Sequence, residues 1–395
     1  MTINEIAVEM TVPNPLKSGS QKVTDSSMSS PSAKHPELQS RQDAMDMARG
    51  LSVILMIFHH VIIYFAHYDL WDSPVLIWSL HGPGSVAVMF MFIMGINAAD
   101  SEKNNARTLA KRGLKILIFA YFLNFVRDQL PLILSCTFQS LCPEDVYLDG
   151  YWDMLFILDI FPFVGLCFLY IAMLRHFEIN KEGQLTLTAI LVLIFSLFEK
   201  HSDPTPIFGY FFLGDWYLCY FPFRSWVIFP VFGALIGSYY RPYGSLTKDS
   251  VPMKKLLIIA LIGWITLFIG MFIFYPQLDH YGFQDETNYY HQDPLTNFFF
   301  LCQNVLLLET LKLLMARNLV PSILFRYIKW MSRNITAAYV VSWLVITWFA
   351  TLITGWYILT NIILIYVFIV TVTGITSGLL YFFPAISKLL KKTLA

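Results

Sequence analysis

Asp46-Met-Ala-Arg49-Gly50-Leu-Ser-Val-Ile-Leu-Met-Ile-Phe-His59-His60-Val-Ile-Ile-Tyr-Phe65-Ala66 begins at a charged mouth and then runs through apolar residues. From roughly residue 48 to 66 it has about the length that a helix needs to cross ~30 Å of hydrocarbon. Arg49 and His60 are close to three turns apart, about 16 Å, so they share one face, and His60 falls near the bilayer midplane. His59 points about 80° away from that face. Asp46 lies one turn before Arg49, where it is placed to pair with it, and His67 lies about two turns beyond His60 at the far end of the stripe. An ionisable group at this depth costs several kcal/mol and marks a functional site with a partner to be found.

The rest of the chain has the same solvent. Of 395 residues, 56% are hydrophobic and only 14% charged, against about 25% charged in ordinary soluble domains. Lys plus Arg number 27 and Asp plus Glu 27, so no global basic field draws the chain to nucleic acid. Residues 1–40, rich in Ser, Pro, Thr and Lys, read as a disordered cytoplasmic tail without a signal peptide. Residues 41–395 read as one transmembrane domain. Apolar segments at roughly 48–66, 76–99, 113–134, 151–174, 185–199, 217–240, 255–276, 294–315, 335–354 and 357–383 predict an all-α, polytopic protein of about ten spans. Lys and Arg collect in alternate loops, for example Lys103 to Lys115, Arg241 to Lys255 and Arg317 to Arg333. That bias puts both termini in the cytoplasm. The other loops hold acidic residues together with Cys136 and Cys142, so they face outward or into a lumen, where a short-range disulfide is permitted.

Further polar groups lie within the spans. Asn124, Arg127 and Asp128 in the third, Asp153 and Asp159 in the fourth and Arg224 in the sixth are expected at comparable outer depth, lining a polar cavity. The same residues read equally as helix-to-helix ion pairs, Arg127 with Asp128 or Asp159 and Arg224 with Asp215. Glu309 with Lys312 reads first as an i,i+3 pair at the interface. For His59 and His60 the plain alternative is a ring satisfied by a neighbouring carbonyl or hydroxyl, although two adjacent histidines on different faces weaken it. The cluster Arg107, Lys111, Arg112 and Lys115 is explained by charge sorting alone, or as a mouth for a polyanionic co-substrate, since guanidinium forks suit phosphate. No phosphate-binding loop, HExxH, GxSxG or dinucleotide fingerprint occurs, and the histidines are too scattered for a metal site.

Three segments carry a resemblance. Asp46, Arg49-Gly50 and His60 stand at the spacing of a first-helix signature. Phe90-Met-Phe-Ile-Met-Gly95 precedes a basic loop with Arg107 and Arg112. Ser332-Arg333-Asn334-Ile-Thr-Ala-Ala-Tyr339 precedes the ninth span. Together they resemble the membrane-bound acyltransferases of the acyltransferase 3 and heparan-alpha-glucosaminide N-acetyltransferase type. Two features depart from that pattern: Ser342 and Trp343 stand where many relatives carry a late His, and Arg107 and Arg112 are more widely spaced than the family's Arg-x-x-Arg.

The resemblance implies acyl-CoA, with acetyl-CoA as the expected donor, entering from the cytoplasm without a metal. The acceptor is a hydroxyl or amine of a small molecule or glycan at the outer face, and membrane lipids are the surrounding partners. His60, with His59 beside it, is expected to act as general base or to take the acyl group and pass it on, while Arg49, oriented by Asp46, and Arg107 and Arg112 hold the CoA phosphates. Arg127, Asp128, Asp159, Arg224 and His67 would bind the acceptor. Two rivals remain open on sequence, a proton-coupled transporter of a polar solute and a non-catalytic membrane scaffold. The expected setting is a plasma or internal membrane. The topology is checked by thiol labelling: a membrane-impermeant reagent applied outside should label Cys136 and Cys142 only after reduction, and labelling from the cytoplasmic face would invert the orientation.

Overall fold

A computed structural model describes residues 36–70, 73, 86–99, 105–139, 154–196, 219–239, 251–274, 290, 292–354 and 358–394. Most of the tail expected over 1–40, together with Cys142, Asp153 and Asp215, lies outside the described residues. The first helix begins at Pro36, inside the stretch assigned to that tail.

Each of the ten apolar segments contains a helix. In chain order these are α1 (Pro36–Phe65), α2 (Val86–Ala99), α3 (Ala106–Asn124), α4 (Ile160–His176), α5 (Lys181–Ser196), α6 (Phe223–Trp226) followed by α7 (Ile228–Tyr239), α8 (Val251–Phe274), α9 (Pro294–Ala316), then α10 (Ser322–Arg333), α11 (Ile335–Phe349), α12 (Ile362–Phe382) and α13 (Pro384–Leu394). Among the described residues the β pairing consists of two isolated bridges, Ala66 with Leu359 and Leu158 with Cys219. Among the described residues five helical stretches are long and apolar enough to cross a membrane: Asp43–Phe65, Ala106–Thr137, Pro294–Ala316, Ile335–Thr354 and Ile362–Phe382. Ile258, Ile259 and Ile262 on α8 and Ile363, Val367 and Val370 on α12 are exposed. Apolar faces of that size are tolerated where lipid is the solvent. The chain is a multi-pass integral membrane protein.

α1 is the hub, packed by α2, α9, α10, α11 and α12. Its Ile57, Val61 and Phe65 are fully buried. At Gly50 a Cβ would collide with the Ile328 carbonyl of α10, so the Arg49-Gly50 step lets two backbones touch beside the charged mouth. A similar contact joins α3 to α4, where a Cβ on Gly113 would stand 2.8 Å from the Gly165 carbonyl oxygen.

Three local features depart from uniform spans. α3 continues through a π-helical turn, Phe125–Gln129, and a second at Ser135–Gln139; such turns often occur at functional positions. The fourth predicted segment is broken: a short 3-10 turn at Met154–Phe156 leads to Asp159, which caps α4 by accepting from the Ile160 N–H at 2.6 Å. Pro162 in the first turn tolerates this start because its missing N–H would have no intrahelical partner. Asp159 therefore marks a helix start in the bundle and is not a mid-helix residue. The third feature is a pair of amphipathic helices, α10 and α13, which lie in segments expected to be loop and chain end.

Candidate functional site

At the mouth of α1, Asp46 holds Arg49 through an Nη2 to Oδ1 contact of 2.8 Å. The same Oδ1 accepts from Ser332 Oγ at 3.1 Å, and Lys329 Nζ reaches Asp43 at 2.5 Å. The Asp46-Arg49 pair and the Ser332 motif, far apart in sequence, thus form one cluster joining α1 to α10. Arg49 lines a cavity of about 240 Å³ together with Arg112, Asn97, Thr336, Phe161 and Tyr339. Phe90 and Met94, from the second sequence motif, line it too. The Arg112 guanidinium lies over the Phe168 ring, 4.9 Å from its centre, and its Nε is buried without a hydrogen-bond partner. Such an orphaned charged donor beside a cavity suits an anionic ligand.

Tyr339, a wall residue of this cavity, belongs to a second network. Its hydroxyl donates to Asp159 Oδ2 at 2.7 Å. Arg127 Nη1 donates to the same oxygen, and its Nε lies 3.0 and 2.8 Å from the two oxygens of Asp128. The cap position gives Asp159 a further donor and the positive end of the α4 dipole. All three charges are enclosed by protein, so each depends on the others rather than on water. Arg127 also sits over Trp343, 4.6 Å from the ring centre. Trp343 is in turn packed against His60 with ring centres 3.8 Å apart, and Tyr339 meets the His60 ring edge-on at 6.4 Å. His60 Nδ1 is buried and has no hydrogen-bond partner, so the carbonyl-satisfied ring is not what is found at that nitrogen. His59 turns elsewhere, with Nε2 3.5 Å from the Tyr290 hydroxyl.

The structure therefore groups the sequence candidates in two sets. Arg49 and Arg112 meet at the cavity with Asp46 behind them, whereas Arg127, Asp128 and Asp159 are bound to one another beyond Tyr339. Arg107 is exposed and does not line the cavity; five residues along a helix turn it about 140° from Arg112. His67 is partly exposed at the end of α1 and contacts Asp69 at 3.1 Å. Arg224 is buried in α6 with partners of its own. Glu309 and Lys312 form the expected i,i+3 pair at 3.1 Å.

Tyr339 and Trp343 were not assigned a role on sequence, though Tyr339 ends the third motif and Trp343 lies one turn on. Gln292 and Asn297, near the start of α9, also escaped notice; both are buried, and the oxygen and nitrogen of each amide lack partners. Cys136 is disulfide-bonded. Replacing Asp159 with Ala should cost about 3–5 kcal/mol, because Arg127 is left buried and short of a partner. The triple change Arg127→Met with Asp128→Leu and Asp159→Leu, which removes every charge of the cluster, should recover much of that loss. Chemical unfolding in detergent checks both, and a single variant within about 0.5 kcal/mol of the parent would dissolve the network.

Among the described residues no group of three or more His, Cys, Asp or Glu is arranged to hold a metal ion. No curated protein and no solved structure matches the chain. A family model described as an acyltransferase domain matches residues 42–382, a stretch that takes in all three sequence motifs, the cavity and the buried network. The chain belongs to the acyltransferase 3 family of membrane acyltransferases.

Proposed function

We propose that this protein moves an acetyl group from cytoplasmic acetyl-CoA to a hydroxyl or amine of a sugar on the other side of the membrane. The topology of this reading is about ten spans with both termini in the cytoplasm. One observation carries it: the cavity that has Arg49 and Arg112 in its wall also reaches Tyr339, which adjoins His60. An anion-binding end and a candidate base are thereby connected through one side chain.

The volume supports a short acyl group. About 240 Å³ is below the ~300–1,000 Å³ of pockets that enclose a drug-sized ligand, so the cavity suits the acyl end of acetyl-CoA passing the two arginines, with the adenosine outside. Arg112, with its unpartnered Nε, takes a phosphate, and Arg49, oriented by Asp46, takes another. In the transfer step His60 accepts the proton from the acceptor O–H or N–H as that atom attacks the thioester carbonyl. The C–S bond breaks, the acetyl group stays on the acceptor, and the departing thiolate is protonated to give free CoA. Trp343 holds the imidazole plane, and Tyr339, fixed by Asp159, adjoins both the donor cavity and the base. The unpartnered amides of Gln292 and Asn297 support a polyhydroxylated acceptor, since an amide both donates and accepts.

Two variants test separate parts of this reading in an assay of CoA release from acetyl-CoA. His60→Ala should lower kcat by about 10²–10⁴-fold with the protein still inserted and folded; turnover close to the parent would reject the base. Arg112→Ala should raise KM for acetyl-CoA about 10- to 100-fold, as expected for a lost hydrogen bond to a charged group. KM for the acceptor should stay near its parent value, and an unchanged donor KM would move the phosphate site elsewhere.

A further inference from the structure

α13 (Pro384–Leu394) is a short helix with three distinct sides. Ser387 and Leu390 are buried, with Ile386 partly so, while Lys388, Lys391 and Lys392 are exposed. At 100° per residue the three lysines fall within about 100° of one another, and Leu389, 65% exposed, lies between them and the packed side. Tyr381, Phe382 and Phe383, immediately before the helix, are all exposed as well. No acidic side chain occurs from Pro384 to Ala395. Apolar and aromatic groups beside a compact run of lysines make the pattern of a helix lying in the plane of a membrane surface.

A second observation ties this helix to the cavity. Ser387 Oγ donates to Asn334 Oδ1 at 2.7 Å. Asn334 is the junction at which α10 ends and α11 begins, and its own amide nitrogen donates to the Trp330 carbonyl at 3.1 Å. On one side of that junction Ser332 holds Asp46 and so the Arg49 mouth. On the other, Ile335, Thr336 and Tyr339 line the cavity. α13 is thus bonded to the joint that positions both ends of the donor pocket.

We propose that α13 is a binding site for anionic lipid headgroups of the membrane leaflet it faces, and that lipid seated there holds the Asn334 junction in the arrangement that forms the cavity. The occupant is a phospholipid with net negative charge. A membrane surface supplies both elements that the helix presents a match for, headgroup charge for the lysines and acyl chains for Leu389 and the aromatics. The regulatory half of the proposal rests on the acyltransferase reading above, whereas the binding half does not.

The test uses the purified full chain. Binding is measured in detergent with short-chain phosphatidylserine against short-chain phosphatidylcholine, and CoA release is measured in nanodiscs of phosphatidylcholine with and without phosphatidylserine. The parent should prefer phosphatidylserine and turn over faster in its presence. Changing Lys388, Lys391 and Lys392 together to Gln should weaken phosphatidylserine binding about a hundredfold, roughly fivefold per lysine. Ser387→Ala should keep the lipid affinity and lose the stimulation. Equal phosphatidylserine binding by parent and triple variant would overturn the site. A triple variant with unchanged lipid binding but a raised KM for acetyl-CoA would assign the lysines to the donor. Retained stimulation in Ser387→Ala would overturn the coupling. Absence of CoA release from the parent in both lipids would reject the acyltransferase reading, and the binding comparison would still decide the lipid site.

Discussion

The carboxylate of Asp159 is the point on which the bundle interior turns. It accepts from Arg127 on α3, from the first free N–H of its own helix α4, and from Tyr339 on α11. Arg127 must also serve Asp128, so a single guanidinium answers two largely buried acids. Removing Arg127 leaves two acids without their cation, and removing Asp159 takes the acceptor from donors on three helices, which is why such clusters hold the approach of their helices within narrow limits. Trp343 extends the constraint to α1: lying one turn beyond Tyr339, it receives Arg127 on its ring and packs against His60. The position of the imidazole therefore follows from the ion pairs, although it makes no bond to either acid.

The helical, multi-pass class was legible because lipid imposes a coarse rule, a long apolar run for each crossing; each predicted run contains a helix, and among the described residues five helical stretches are long and apolar enough to cross. What escaped was structure that does not cross. α10 and α13 alternate apolar and basic residues, so their mean hydropathy resembles that of a loop even though their periodicity is helical. The break before α4 was hidden by apolar residues on both sides of it, although Asp159 with Pro162 in the next turn is a helix-start signal that hydropathy does not weigh. Nothing in Phe125–Gln129 announces a π turn.

The site was legible in parts for similar reasons. Asp46 and Arg49 were found because one turn separates them on one helix, and Arg127 with Asp128 and Asp159 because charges in spans are scarce. Helix geometry applied to Arg107 and Arg112 would have separated them, since five residues turn the first away from the cavity that the second enters. Trp343 had no signal of its own: an aromatic residue in an apolar span looks like core until the ring partners are known. The same holds for Tyr290, which reaches His59 from far along the chain.

These contacts give the molecule a direction. Arg49 on α1 and Arg112 on α3 gather at one cavity, the acids and His60 lie beyond Tyr339, and α13 bonds to the joint between α10 and α11. The central claim is that the donor thioester arrives at Tyr339 from the arginine side. An electron cryomicroscopy structure of the full chain with a non-hydrolysable acetyl-CoA analogue tests it most directly. The account predicts phosphate density against Arg112 and the acyl end beside Tyr339 and His60. An analogue bound with its acyl end on a face remote from Tyr339 would contradict it.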